Sequence, residues 1–173
     1  MSCLVTKPRK SHLAPYALVV VAALAPFAAG CSAIAGDQVA PMSFDVVPRA
    51  DGTFSSWDEL SVDDPTNTSN ATLLSVTFDT GDPPVPDDLS YLTTLIGVGV
   101  NPDDSTMAAQ FCSQDTFPAG EQAVTANVDY HDNIVPFFSN EKIMIQWSGT
   151  VNVSAGIPAD GYVVHARLQV EPQ

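Results

Sequence analysis

The chain has 173 residues, of which 45% are hydrophobic, and sets 20 acidic side chains against six basic ones, a formal charge of −14. Three of the six, Lys7, Arg9 and Lys10, stand in the first ten residues; from Cys31 onward only Arg49, Lys142 and Arg167 face all 20 acids, which leaves −17. Such a balance excludes nucleic acid as a partner, because neutralising phosphates takes a basic face, and it repels anionic lipid headgroups, so any hold on a bilayer must come from something other than charge.

The basic start is followed by an uncharged stretch from Leu13 to Gly30 that contains "YALVVVAALAPFAA". This is the basic and apolar pair of regions of an export signal. A spanning helix is the competing reading, since crossing a bilayer takes about 20 residues. Pro15 and Pro26 cut the helical core to about ten, the range of a signal peptide. The run Ala28-Ala29-Gly30-Cys31 then resembles the lipobox of bacterial lipoproteins, with Ala28 where that family usually has Leu. The resemblance implies cleavage before Cys31 and acylation of its thiol and new amino group, and Ser32 after it implies sorting to the outer membrane. Cys31 has two other fates. Ala33-Ile34-Ala35 before Gly36 fits an ordinary signal peptidase, which would discard the cysteine and release a soluble secreted protein. A Cys31–Cys112 disulfide in an oxidising compartment is the other. With Cys3 removed and Cys31 acylated, Cys112 is left with no disulfide framework, and is expected to be a small buried apolar residue.

The organisation read from this is a signal peptide over 1–30, a lipidated cysteine and tether over 31–41, and a single domain over 42–173, long enough for its own core. Its segments alternate with period two between turn-forming clusters. A weak strand is expected at Ser43–Val47, and "FSSWDEL" around Trp57 reads as an acidic loop. "ATLLSVTFD" places Leu74, Val76 and Phe78 on one face. In "PDDLSYLTTLI", Asp87 as N-cap and Leu89, Leu92, Leu95 and Ile96 at helical spacing predict a short helix. Strands follow at Ile96–Val100 and Thr106–Cys112. "AVTANVDY" faces Val124, Ala126, Val128 and Tyr130 inward. "NIVPFFSNEK" is apolar around Pro136 and predicts one turn plugging an end of the core. "EKIMIQWSGT" faces Ile143, Ile145 and Trp147 in, and "YVVHARLQV" faces Tyr162, Val164, Ala166, Leu168 and Val170 in. The predicted fold is all-β: an antiparallel β-sandwich, Ig-like or jelly-roll-like, of about seven strands with one short helix. From "SVTFD" to the final strand, the order of segments is similar to that of small bacterial lipoproteins, which implies the architecture and no reaction.

Candidate chemistry is sparse. No G-x-S-x-G elbow surrounds a serine, and after export only His131 and His165 remain, so no catalytic motif is present and no enzyme is expected. "VDYHDN" holds Asp129, His131 and Asp132, donors suited to a transition metal but at best at the lower limit of the three or four ligands zinc takes; they also suit a strand end. "DTGDPPVPDD" and "NPDDST" offer Asp79, Asp82, Asp87, Asp88, Asp103 and Asp104 as oxygen ligands for calcium, without any known loop spacing; Asp as a turn and cap residue is the competing account. Trp57 is the one ring to consider as a ligand platform, against a role in plugging the fold. The expectation is a lipid-anchored, non-enzymatic binding, adhesive or structural domain of the cell envelope, without cofactor, whose bilayer contact is the acylated Cys31 and whose protein or glycan partner is open. The alternatives are a calcium-dependent carbohydrate-binding or adhesion module and a soluble protein cut after Ala35.

Overall fold

The computed structural model describes residues 38–61 and 69–173. The export-signal stretch, Cys31 and the bond between Ala35 and Gly36 lie outside them. Eight strands follow in chain order: β1 (Gln38–Val46), β2 (Thr53–Ser61), β3 (Ala71–Asp79), β4 (Leu92–Val100), β5 (Ala108–Gln114), β6 (Ala123–Val128), β7 (Lys142–Val151) and β8 (Tyr162–Pro172). They pair antiparallel in the spatial order β1-β8-β3-β6-β5-β4-β7-β2. The pairing is nested: β1 meets β8, β2 meets β7, β3 meets β6 and β4 meets β5.

All-β architecture is thus as expected, but the arrangement differs from a seven-stranded sandwich with a helix. The sheet is continuous and nearly closed into a barrel. Its halves join through β5 and β6, which share only Cys112 opposite Val128 and Ser113 opposite Asn127. Where the end strands meet, no ladder forms; instead the Ser43 backbone N–H donates to Asp58 Oδ2 at 3.2 Å. Asp58 lies on the same side of β2 as Phe54 and Leu60, so an inward carboxylate caps the β1 edge, a device that also discourages pairing with another chain.

Several expectations are corrected by this arrangement. β1 starts at Gln38 and takes in residues assigned to the tether. "FSSWDEL" is strand β2; its inward positions alternate Phe54, Ser56, Asp58 and Leu60, too polar to read as a core-facing strand. The predicted helix is a turn followed by β4, and among the described residues no α-helix forms. Its helical spacing has another cause. The β4–β7 register shifts between Leu92 and Thr94, and this bulge lets Leu92 and Leu95, three apart, both face the core. A second bulge, at Leu74 in β3, reverses the expected phase: Leu73 is 3% exposed and Leu74 42%.

The core is built on Trp147, 1% exposed, stacked on Phe44 at 4.8 Å and edge-on to Phe78 at 5.5 Å. Gly97 of β4 makes room for it, since a Cβ there would lie 2.5 Å from the indole. Cys112, also buried, is a free thiol pushed up to about 12 by its burial.

Because neighbours alternate in direction, β1, β3, β5 and β7 begin at one pole, the near pole, and the even-numbered strands at the far pole. The predicted plug at Pro136 is a single 3-10 turn, Val135–Phe137, at the near pole, with Phe137 edge-on to Phe111 at 5.2 Å. Leu89 and Tyr91 close the far pole, where Tyr91 packs against Tyr162 at 5.1 Å. The segment predicted as a short helix closes this pole as a turn.

Candidate functional site

The acidic candidates are divided by the fold. Asp79, Asp82, Asp87 and Asp88 belong to the far pole; Asp103, Asp104, Asp129, His131 and Asp132 belong to the near pole. Most of those carboxylates already have partners. Both Asp88 oxygens accept backbone N–H groups, from Ser90 at 2.9 Å and Gly120 at 2.7 Å, and the bonds from Ser90 and Gly120 hold the carboxyl below its usual range. Thr106 donates its hydroxyl and its N–H to Asp104 Oδ1, at 2.6 and 3.0 Å, with the same effect. Asp103 accepts from the Ser139 hydroxyl and from Asn140 Nδ2. These are turn and loop-tying roles.

Asp79 is an outward residue of β3, yet only 8% exposed. Its Oδ1 accepts the Gly81 N–H at 2.9 Å, and Arg167 Nη2 stands 3.0 Å from Oδ2 as an ion pair without hydrogen-bond alignment. Asp82, Asp87, His131 and Asp132 carry no side-chain hydrogen bond or ion pair, and Asp82, Asp87, His131 and Asp132 are exposed. Asp129 Oδ2 accepts Gln110 Nε2 at 2.9 Å. Among the described residues, no three His, Cys, Asp or Glu side chains converge where one metal ion could sit. His165 sits opposite Asp79 on β8 and packs on Gly81, with no hydrogen bond to a nucleophile.

Trp57 is different in kind. It points away from the core at 51% exposure and has no ring partner. Register places it in a row across four strands: Trp57 opposite Gln146 of β7, Gln146 opposite Val98 of β4, and Val98 opposite Gln110 of β5. At the usual strand spacing the row spans about 14 Å. A parallel row beside it holds Ser55, Ser148, Ile96 and Ser113. Gln146 Nε2 donates to Ser55 Oγ at 3.3 Å, while Ser148 and Ser113 have no side-chain bond to protein.

The outward positions of this half-sheet carry just two charges, Glu59 and Lys142, which neutralise each other at 2.8 Å. The Lys142 contact holds the Glu59 carboxyl below its usual range. The result is a flat face of one indole, amides, hydroxyls and half-buried aliphatic side chains. Such a face can stack a ring and exchange hydrogen bonds, and it holds no group arranged to make or break a covalent bond. Sequence reading singled out Trp57 but none of its companions: alternation shows that Gln146 faces outward, and nothing local shows which strands flank it. No known protein family, curated protein or solved structure matches the chain.

Proposed function

We propose that this protein is a lipid-anchored, non-enzymatic binding domain of a bacterial cell envelope, exported by residues 1–30, acylated on Cys31 and directed to the outer membrane. The observation that carries the reading is the sequence from Lys7 to Cys31, basic, then apolar, then Ala-Ala-Gly-Cys, ending seven positions before the first strand. Seven residues reach at most about 25 Å, so the near pole would stay close to the bilayer. Two or more acyl chains give stable attachment where one binds reversibly. Acyl chains are the anchor that suits a domain at −17, which has no electrostatic hold on anionic lipid. The nested pairing of the eight strands supports reading the domain as a jelly roll, a fold whose hosts have many unrelated functions. The function therefore rests on its surface, and the surface offers a binding face rather than a reaction centre.

Intact mass and detergent partitioning of the wild type beside Cys31→Ser test the anchor. The wild type is expected in the detergent phase, beginning at Cys31 with the added mass of its acyl chains, and the variant in the aqueous phase. Two aqueous proteins beginning near Gly36 would overturn the lipid anchor in favour of secretion.

A further inference from the structure

We propose that the outward face of β2-β7-β4-β5 binds a neutral glycan without calcium, a sugar ring stacking on Trp57 and its hydroxyls bonding to Gln146, Ser148 and Ser113. This deepens the binding-domain reading above by naming the ligand, and it does not depend on the fate of Cys31.

Charge gives the first argument. From Cys31 onward the chain carries 20 acids, yet the outward positions of these four strands hold no net charge, and the only acid among them is paired. A neutral ligand can approach this face, whereas the field of the whole domain repels an acidic polymer. The polar groups give the second. Gln146 Oε1 and the hydroxyls of Ser148 and Ser113 have no protein partner, so in the free protein water satisfies them. An apolar protein surface laid over the face would strip that water and leave them unpaired, a cost in free energy at every group. Sugar hydroxyls replace the water group for group. The exposed indole beside them supplies an apolar plane at one end of the row, the combination of one flat hydrophobic contact with a few placed polar groups that orients a small ligand.

The platform is also held in place. Trp57 lies between Ser55 and Glu59 on its own strand and opposite Gln146, with Ser55 bonded to Gln146 and Glu59 to Lys142. Both ties cross from β2 to β7, so the strand that carries the ring is fixed on either side of it. Among the described residues, the one acidic-loop side chain hydrogen-bonded to this face is Asp129, which holds the Gln110 amide at the far end of the row. Among the described residues no group of carboxylates stands on this face to hold calcium.

Affinity electrophoresis of the full chain in mild detergent tests this, through gels containing dextran, mannan, xylan, xyloglucan or a β-1,3-glucan, each with and without EDTA. Retardation by at least one polymer, unchanged by EDTA, is expected. Trp57→Ala should weaken it about tenfold or more, Gln146→Ala less, and Trp57→Phe should retain most of it. The near-UV spectrum of Trp147 serves to show that each variant is folded, and Cys31→Ser should bind as the wild type does, so a failed anchor leaves this result readable. Absence of retardation by all five polymers overturns the proposal, as does retardation that survives Trp57→Ala or disappears in EDTA. Sedimentation that shows self-association abolished by Trp57→Ala, with no retardation by any polymer, overturns it in favour of a second copy of the chain on this face.

Discussion

The two halves of the barrel wear different outer surfaces over one shared core. On β1-β8-β3-β6 the outward positions include Asp45, Asp79, His165, Arg167 and Glu171, and the ion pair there sets a largely buried Asp79 carboxylate, tied to the turn by the Gly81 N–H, against an exposed Arg167 guanidinium. On β2-β7-β4-β5 the ion pair of Glu59 and Lys142 stands open to solvent and the rest is neutral. The difference teaches that charge in this domain is distributed unevenly: one face carries most of the outward charges of the sheet, and the other carries a single pair that cancels.

The sharpest way to break the comparison is to attack what both faces share. Trp147 and Trp57 sit on paired strands, one facing in and one out. Trp147→Ala should cost about 3–5 kcal/mol in denaturant unfolding, by opening a cavity between Phe44 and Phe78. Trp57→Ala should stay within about 0.5 kcal/mol. Near-equal losses would mean that the outer ring is structural and the face is not a free surface.

Next come the two ion pairs. Arg167→Ala leaves a largely buried Asp79 oxygen without its partner and should destabilise by about 2 kcal/mol. Lys142→Ala, which exposes Glu59 to water, should leave the melting temperature unchanged within error. The same ranking read by thermal melts in 1 M salt should persist, since salt screens a largely buried carboxylate such as Asp79 less than an exposed one such as Glu59.

A smaller effect is expected at the seam between the two halves. Asp58→Ala removes the acceptor of the Ser43 N–H and should cost about 1 kcal/mol. Hydrogen exchange at Ser43 should accelerate more than at its β8 partner His165. Equal acceleration at both would show that the seam opens only when the whole barrel unfolds.

The smallest concerns pH at the far pole. The Asp88 carboxyl is held below its usual 3.8 by the bonds from Ser90 and Gly120, so its contribution is full above that value and is lost as pH falls through the lower folded one. Asp88→Asn should be less stable than the wild type at neutral pH, the gap closing as the buffer is taken down through the acid range below 3.8. A gap that persists in acid would assign the loss to packing of the loop instead of to its charge.

How much of this was legible varies strand by strand. β7 and β8 read directly, because Ile143, Ile145, Trp147 and Val164, Ala166, Leu168 alternate without interruption and burial follows them. β2 did not, because Ser56 and Asp58 occupy inward positions near an edge where water still reaches. The bulges at Leu74 and Thr93 shifted the period by one residue, turning a strand into an apparent helix in β4 and inverting Leu73 and Leu74 in β3. At the candidate site, Trp57 stood out by residue type alone. Its companions did not, since Gln146 lies 89 positions along the chain and Gln110 stands two strands beyond it in the sheet.

By itself the sequence determined the all-β class, the acidic charge, the inward placing of Phe78 and Trp147 and the likeness of its first 31 residues to a lipoprotein leader, because composition and short-range period act over a few residues at a time. The nested strand order, the near-closure of the barrel, the partners that occupy the acidic loops and the neutral row beside Trp57 were decided only in the tertiary structure. They depend on which distant segments pair and in what register, and that is set by the joint packing of the whole core around Trp147.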